Sequence, residues 1–171
     1  MPIYKILSAL LDYPEQDLKA ALPQLRARLA REPLAEQERA ALEGFLAWVE
    51  ANSLTELEAA YVQTFDLTPE HSLHLTHHLF GDDRGRGPAL IEMTEYYREF
   101  GMEPASEELP DYLPLILEFA AGLEELEAQL FLTRSVPVLG RLAANLEKAG
   151  SPYAPLVRII ENRGRLARIA A

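Results

Sequence analysis

Ser53-Leu54-Thr55-Glu56-Leu57-Glu58-Ala59-Ala60-Tyr61-Val62-Gln63-Thr64-Phe65-Asp66 is a helix whose start and buried face can both be read from its residues. The Ser53 hydroxyl can accept from the backbone N–H three residues on while Glu56 reaches back, which is the capping-box arrangement. Leu54, Leu57, Tyr61 and Phe65 then recur at spacings of three and four, so they share one face. The helix is expected to end near Asp66, ahead of a new start signal at Thr68-Pro69-Glu70.

The same period continues on both sides. Leu18, Leu22, Leu25 and Leu29 line one face of a segment that Pro23 either kinks or divides in two. Pro33 restarts the chain, and Leu42, Phe45, Leu46 and Val49 mark a helix over 34–51, with Trp48 beside the stripe in the core or at its rim. Met1 to Asp12 reads as an amphipathic helix without a small-residue cleavage site, so export is not expected. Downstream, Gly81 to Gly87 holds three glycines, two aspartates and two arginines, the composition of a turn or mobile loop. Pro88 opens a helix faced by Leu90, Ile91, Thr94 and Tyr97, which Gly101 ends. Residues 101–110 form a long connection, and Asp111 is placed to cap the apolar run from Leu113 to Phe119. Gly122 interrupts that run, and helices follow over about 123–133, 137–149 and 152–162, punctuated by Gly150-Ser151-Pro152. No strand and no fixed-period repeat is found. The expected fold is all-α: one compact bundle of roughly eight to ten helices over 1–171, with a short basic tail from about residue 163.

Composition narrows the function. Of 171 residues 49% are apolar, ample for one core, yet no apolar run approaches the ~18 residues of a membrane span. Cysteine is absent, which excludes disulfides, thiol nucleophiles, iron–sulfur ligation and thiolate zinc sites. A net charge of −11 argues against nucleic acid and favours basic partners, or serves solubility alone. Histidine is confined to one segment, so a Ser/His/Asp arrangement has few possible bases and no catalytic constellation emerges.

Tyr61-Val62-Gln63-Thr64-Phe65-Asp66, Ser72-Leu73-His74-Leu75, Gly81-Asp82, Arg86-Gly87-Pro88-Ala89-Leu90, Tyr97, Gly101 and Glu108-Leu109-Pro110-Asp111-Tyr112-Leu113-Pro114 follow one another with a familiar spacing. Together, over roughly residues 3–160, they resemble the NarJ-type assembly chaperones of respiratory nitrate reductase. The wider family includes TorD- and DmsD-type chaperones of other molybdoenzymes, whose Glu-x-Pro-Asp-His signature is similar to Glu108-Leu109-Pro110-Asp111-Tyr112. Tyrosine in place of that histidine favours the nitrate-reductase branch. The resemblance implies a cytoplasmic, non-enzymatic chaperone that binds the immature catalytic (alpha) subunit, especially its N-terminal leader-like peptide. It would hold that subunit competent for molybdenum cofactor insertion and membrane docking, and keep no cofactor of its own. No nucleic acid, at most peripheral membrane contact, and a monomer or weak homodimer complete the expectation.

Such a role needs a groove. Tyr61 and Phe65, with Asp66 behind them, could line one side, and Leu109, Tyr112, Leu113 and Phe119 the other, while Pro110 and Pro114 hold the helix entry in a fixed shape. Asp111 and Glu118 would meet basic groups of the peptide, and Arg84 and Arg86 would close over the partner from a flexible loop. Each residue also has a plainer reading: core for Tyr61 and Phe65, helix cap for Asp111, solvated turn for the arginines. All four histidines fall within His71-x-x-His74-x-x-His77-His78, and on a helix His74 and His78 could chelate a metal with Glu70 or Asp82 nearby. The metalloprotease pattern is missing, since Leu75 stands where its glutamate would, and a modest pH response is the alternative. Arg158, Arg163, Arg165 and Arg168 concentrate positive charge near the end, for the helix terminus, an anionic lipid surface or an acidic client face.

Overall fold

Helix stripes of the kind just described must bury against one another, and the element order shows how. The computed structural model describes residues 2–81, 83–102 and 108–170, and side chains within 3–165 of that set. Among the described residues there are ten α-helices and no strand. They are α1 (Pro2–Leu11), α2 (Gln16–Leu29), α3 (Glu36–Ala51), α4 (Leu54–Tyr61), α5 (His77–Phe80), α6 (Arg86–Glu99), α7 (Leu113–Gly122), α8 (Glu125–Thr133), α9 (Val136–Lys148) and α10 (Ala154–Ala170). The all-α expectation holds.

The capping box at Ser53 is present, with Glu56 N–H donating to Ser53 Oγ at 3.3 Å and Ser53 N–H donating to Glu56 Oε2 at 2.7 Å. Beyond Tyr61 the helix loosens into a single π turn, Val62–Asp66, closed by Leu67 N–H on the Val62 carbonyl at 3.0 Å. Pro23 does not divide α2, which runs through it. The ring faces solvent, where the carbonyl it leaves without a partner can be hydrated, while buried Leu22, Leu25 and Leu29 hold both halves of the helix.

The centre of the molecule is α1 against α7, both sunk almost whole. Leu7, Leu10 and Leu11 are buried there with Leu113, Ile116 and Leu117, and Ser8 Oγ donates to the Pro114 carbonyl at 2.8 Å. A second block forms where α10 lies on α8, α9 and α3. Trp48 sits at its rim, half-buried, 5.3 Å from the Phe45 ring and 5.5 Å from Tyr153.

The last helix runs past residue 162, the expected end, because Gly164 serves packing. A Cβ there would lie 2.8 Å from Val136 Cγ2 and 3.2 Å from the Leu132 carbonyl oxygen. Gly164→Ala should therefore cost about 1–3 kcal/mol by overpacking. Gly44→Ala, in open space within α3, should be neutral or stabilising by up to ~1 kcal/mol through helix propensity; urea titration of both variants checks the contrast. The basic end is also neutralised within the fold. Arg163 grips Glu38 at 2.8 and 2.9 Å, Arg158 pairs with Glu147 and Glu161, and Arg165 pairs with Glu161. Arg168 lies outside the described side chains.

Candidate functional site

Residues 72–76 run antiparallel beside 110–113, tied by Leu75 N–H to the Asp111 carbonyl at 3.0 Å and Leu113 N–H to the Leu73 carbonyl at 2.9 Å. This brings Asp111 inside, with no exposed surface. Its Oδ2 accepts from Thr76 N–H at 3.1 Å and from the Thr76 hydroxyl at 2.5 Å, and its Oδ1 lies 3.2 Å from His74 Nδ1. Arg86 Nη2 stands 3.5 Å from the same carboxylate while Arg86 Nε donates to Thr76 Oγ1 at 3.0 Å. Burial pushes the Asp111 carboxyl up, but the His74 and Thr76 hydrogen bonds outweigh it and hold the group below the usual carboxylate range. Three expectations are corrected here. Asp111 does not cap α7, whose N-cap is Tyr112 without a side-chain bond, and Asp111 is not a rim acid, because this chain's own donors surround it. Arg86 opens α6 and is engaged with Asp111, so it is not free in a loop.

The two tyrosine-bearing segments expected to flank a groove pack against each other in this structure. Tyr61 and Phe65 are 4% and 6% exposed, their rings 4.9 Å apart and both against Tyr153. Tyr61 Oη is 2.7 Å from Tyr112 Oη, which donates onward to Asp12 Oδ1 at 3.0 Å. Burial drives both phenol pKa values well above the ordinary range. The segments touch directly, hydroxyl to hydroxyl. Pro110 and Pro114 are buried, Leu109, Glu118, Asp66 and Arg84 are exposed, and Phe119 is buried beside a cavity described below.

The histidines do not share a helical face. A 3-10 turn at Pro69–His71, the extended bridge at His74 and the separate helix α5 scatter them. His71 Nδ1 lies 3.1 Å from the Thr64 carbonyl and His78 Nε2 donates to the Ser72 carbonyl at 2.7 Å. Among the described residues no three His, Asp or Glu gather into a metal-sized group. Burial lowers the His78 pKa, against a smaller opposing effect of its bond to Ser72. A lowered folded-state pKa means stability that is present above the unfolded value of ~6.5 and lost as pH falls through the folded one. Melting temperature should thus decline as pH drops below ~6.5, and His78→Gln should flatten that decline.

An opening does exist, elsewhere. A cavity of about 620 Å³ lies between α5, α6, α8 and the start of α9, with Ile116 of α7 at its base. Its walls are Leu79 and Phe80, then Ala89, Met93, Tyr96 and Tyr97, then Leu130, Phe131 and Val138. Tyr96, Tyr97 and Phe131 of its lining belong to one aromatic cluster: Tyr96 stacks parallel on Phe131 at 5.7 Å, and Phe119 packs against them, 4.7 Å from Tyr97 and 4.9 Å from Phe131. At the mouth, Leu79, Phe100 and Leu130 are 61%, 51% and 48% exposed, with Glu92, Glu127 and Arg134 around them. The volume is roughly four times the ~150 Å³ that accepts one benzene-sized group. Several side chains of an amphipathic helix would fit, and the chain's negative charge favours basic flanks.

None of the expected site residues lines this cavity: Phe119 packs against its Tyr97 and Phe131, and Arg86 and Asp111 bond to its Thr76. The lining residues were missed because α6 was read with Ile91 inward, whereas Ile91 is 62% exposed. The usable signal was the Ala89, Met93, Tyr96, Phe100 stripe at spacings of four, three and four.

Comparison with known proteins supplies the remaining evidence. The family described as nitrate reductase delta subunit matches residues 12–158. A Bacillus subtilis protein, "Probable nitrate reductase molybdenum cofactor assembly chaperone NarJ", is 36% identical over 157 residues, 92% of this chain and 85% of that relative. The Escherichia coli K12 "Nitrate reductase molybdenum cofactor assembly chaperone NarJ" is 34% identical over 91% of this chain and 66% of its own length. The same organism's "Probable nitrate reductase molybdenum cofactor assembly chaperone NarW" is 29% identical over 90% of this chain and 64% of its own length.

Proposed function

This chain belongs to the nitrate reductase delta subunit family, and on that premise we propose that it is a dedicated assembly chaperone of respiratory nitrate reductase. It binds the immature catalytic subunit through that subunit's N-terminal leader-like segment, keeps it competent for molybdenum cofactor insertion and membrane docking, and leaves the finished enzyme. The role is assembly and not catalysis. The molybdenum cofactor is the client's cargo in this reading. The work is done in the cytoplasm by a monomer or weak dimer, with membrane contact at most peripheral. Among the described residues no helix is long and apolar enough to cross a membrane.

The observation that carries the binding mode is the open, aromatic-lined cavity of about 620 Å³ with exposed Leu79, Phe100 and Leu130 at its mouth. An apolar cleft with a charged rim suits a segment that presents an apolar helical face and basic residues. Tyr61, Phe65 and Tyr112 then serve the site from behind, by fixing the frame on which the cavity walls stand. Co-purification with candidate molybdoenzyme catalytic subunits, followed by mapping of the retained segment, tests the reading. The nitrate reductase subunit should be retained through its N-terminal segment, and the isolated segment should raise the melting temperature in a concentration-dependent way. Retention of a different molybdoenzyme's subunit in preference, or of none, would overturn it.

A further inference from the structure

The wall of the cavity formed by α6 is held unlike the rest of the bundle. Of its fourteen residues only Tyr97 is buried outright, with Met93 and Tyr96 partly buried against the cluster it forms with Leu115 and Phe119, so apolar packing holds chiefly the second half of the helix. Its polar anchors converge on one dipeptide. At its first residue, Arg86 reaches Asp111 Oδ2 at 3.5 Å and Thr76 Oγ1 at 3.0 Å; near its far end, the Tyr97 hydroxyl donates to the Pro110 carbonyl at 2.7 Å. These anchors lie eleven residues apart, roughly 16 Å of helix, so together they fix both position and tilt. The dipeptide is itself rigid, being buried, bonded through Asp111 to the N–H groups of Leu75 and Thr76, and joined through Tyr112 to the core helix α7. The opposite wall, α8, is fixed by burial of Ala128 and Leu132 against α10.

We propose that Pro110-Asp111 is a clasp that sets the place of α6, and that Arg86 and Asp111 are positioning residues which govern client affinity without touching the client. This deepens the proposed function and rests on it for the identity of the occupant. With the clasp closed, the cavity is pre-organised; with it released, the start of α6 loses its tether, the helix is left to the contacts of Tyr96 and Tyr97 with Phe119 and Phe131, and binding must also order it. The signature segment thus acts through the wall it holds.

The test is hydrogen exchange on the full chain, comparing wild type with Arg86→Ala, Tyr97→Phe and the double variant. Both changes spare the core: the Arg86 side chain is 24% exposed, and Tyr97→Phe removes only a hydroxyl. Amides of α6 should exchange about tenfold faster in the double variant while those of α1, α7 and α10 keep their rates. Affinity for the N-terminal segment of the nitrate reductase catalytic subunit should fall by about tenfold in step. By contrast Leu79→Asp, in the cavity but outside the clasp, should weaken binding and leave α6 exchange unchanged. Unaltered α6 exchange in the double variant would overturn the clasp, and faster exchange with unaltered affinity would overturn its part in binding. Failure of wild type to bind the segment would sink the identity of the occupant, and the exchange rates alone would still decide the clasp.

Discussion

Leu130→Asp, combined with Leu79→Asp, should abolish capture of the client segment while leaving the protein folded. Both side chains are about half exposed or more, so the free protein gains little from burying them and the variant should melt within ~2 °C of wild type. In the complex the same positions meet the apolar face of the segment. A carboxylate placed there, next to Glu127 at the cavity's edge, must be stripped of water without a partner. A loss of at least about 3 kcal/mol, on the order of a hundredfold in affinity, is expected by titration calorimetry. Ile91→Asp is the matched control. It adds one carboxylate to the neighbouring α6, at a position 62% exposed that does not line the cavity, and it should bind as wild type does, against the large loss expected of Leu130→Asp alone. Equal losses in both variants would mean that charge, and not the cavity, was being read.

Asp111→Ala should be the most damaging single change to stability away from the apolar core. The carboxylate is fully buried and is the acceptor for Thr76 N–H and hydroxyl and the partner of His74 and Arg86. Removing it strands several polar groups at once, for which a cost of about 3–5 kcal/mol is typical. That corresponds to a fall in melting temperature of roughly 10 °C in a chain of this size. The effect has a pH signature. Because the folded-state pKa of Asp111 is lowered, its contribution is present above ~3.9 and is lost as pH falls through the lowered value, so wild type and variant should converge in strong acid. Asp12→Ala offers a scale. It removes one exposed acceptor from Tyr112 and should cost no more than about 1 kcal/mol.

The helices were legible because their signals are local. A capping box, a proline in a first turn or a leucine every third and fourth residue acts within a few positions of the chain, and Ser53 with Glu56 forms the bond its spacing promises. The site was less legible because in an all-helical protein a stripe that faces the core and one that faces a cavity are made of the same residues. Tyr61 with Phe65 and Met93 with Tyr96 differ in use, not in pattern. What separates them is tertiary: Tyr153 closes over the first pair, while the bond from Tyr97 to the Pro110 carbonyl helps set the rotation of α6 that turns the second pair inward. Asp111 was misread for a related reason, since a cap is the local use of an aspartate before a helix and its actual donors lie 35 and 37 residues away. Arg86 followed it, read as loop because three glycines surround it, although a helix can carry Gly87 and Pro88 in its first turn when a buried acid fixes its start.

Methionine methyl signals offer a decisive reading of where the client sits. The chain has three methionines, and Met93 lies in the cavity wall. On titration with the N-terminal segment of the nitrate reductase catalytic subunit, the Met93 methyl should shift and saturate at the affinity found by calorimetry, and the shift should vanish in Leu130→Asp. A segment that binds with undiminished affinity while Met93 stays still, and with Tyr13 or Tyr112 responding instead, would place the client on the other face of the bundle and contradict the cavity as its seat.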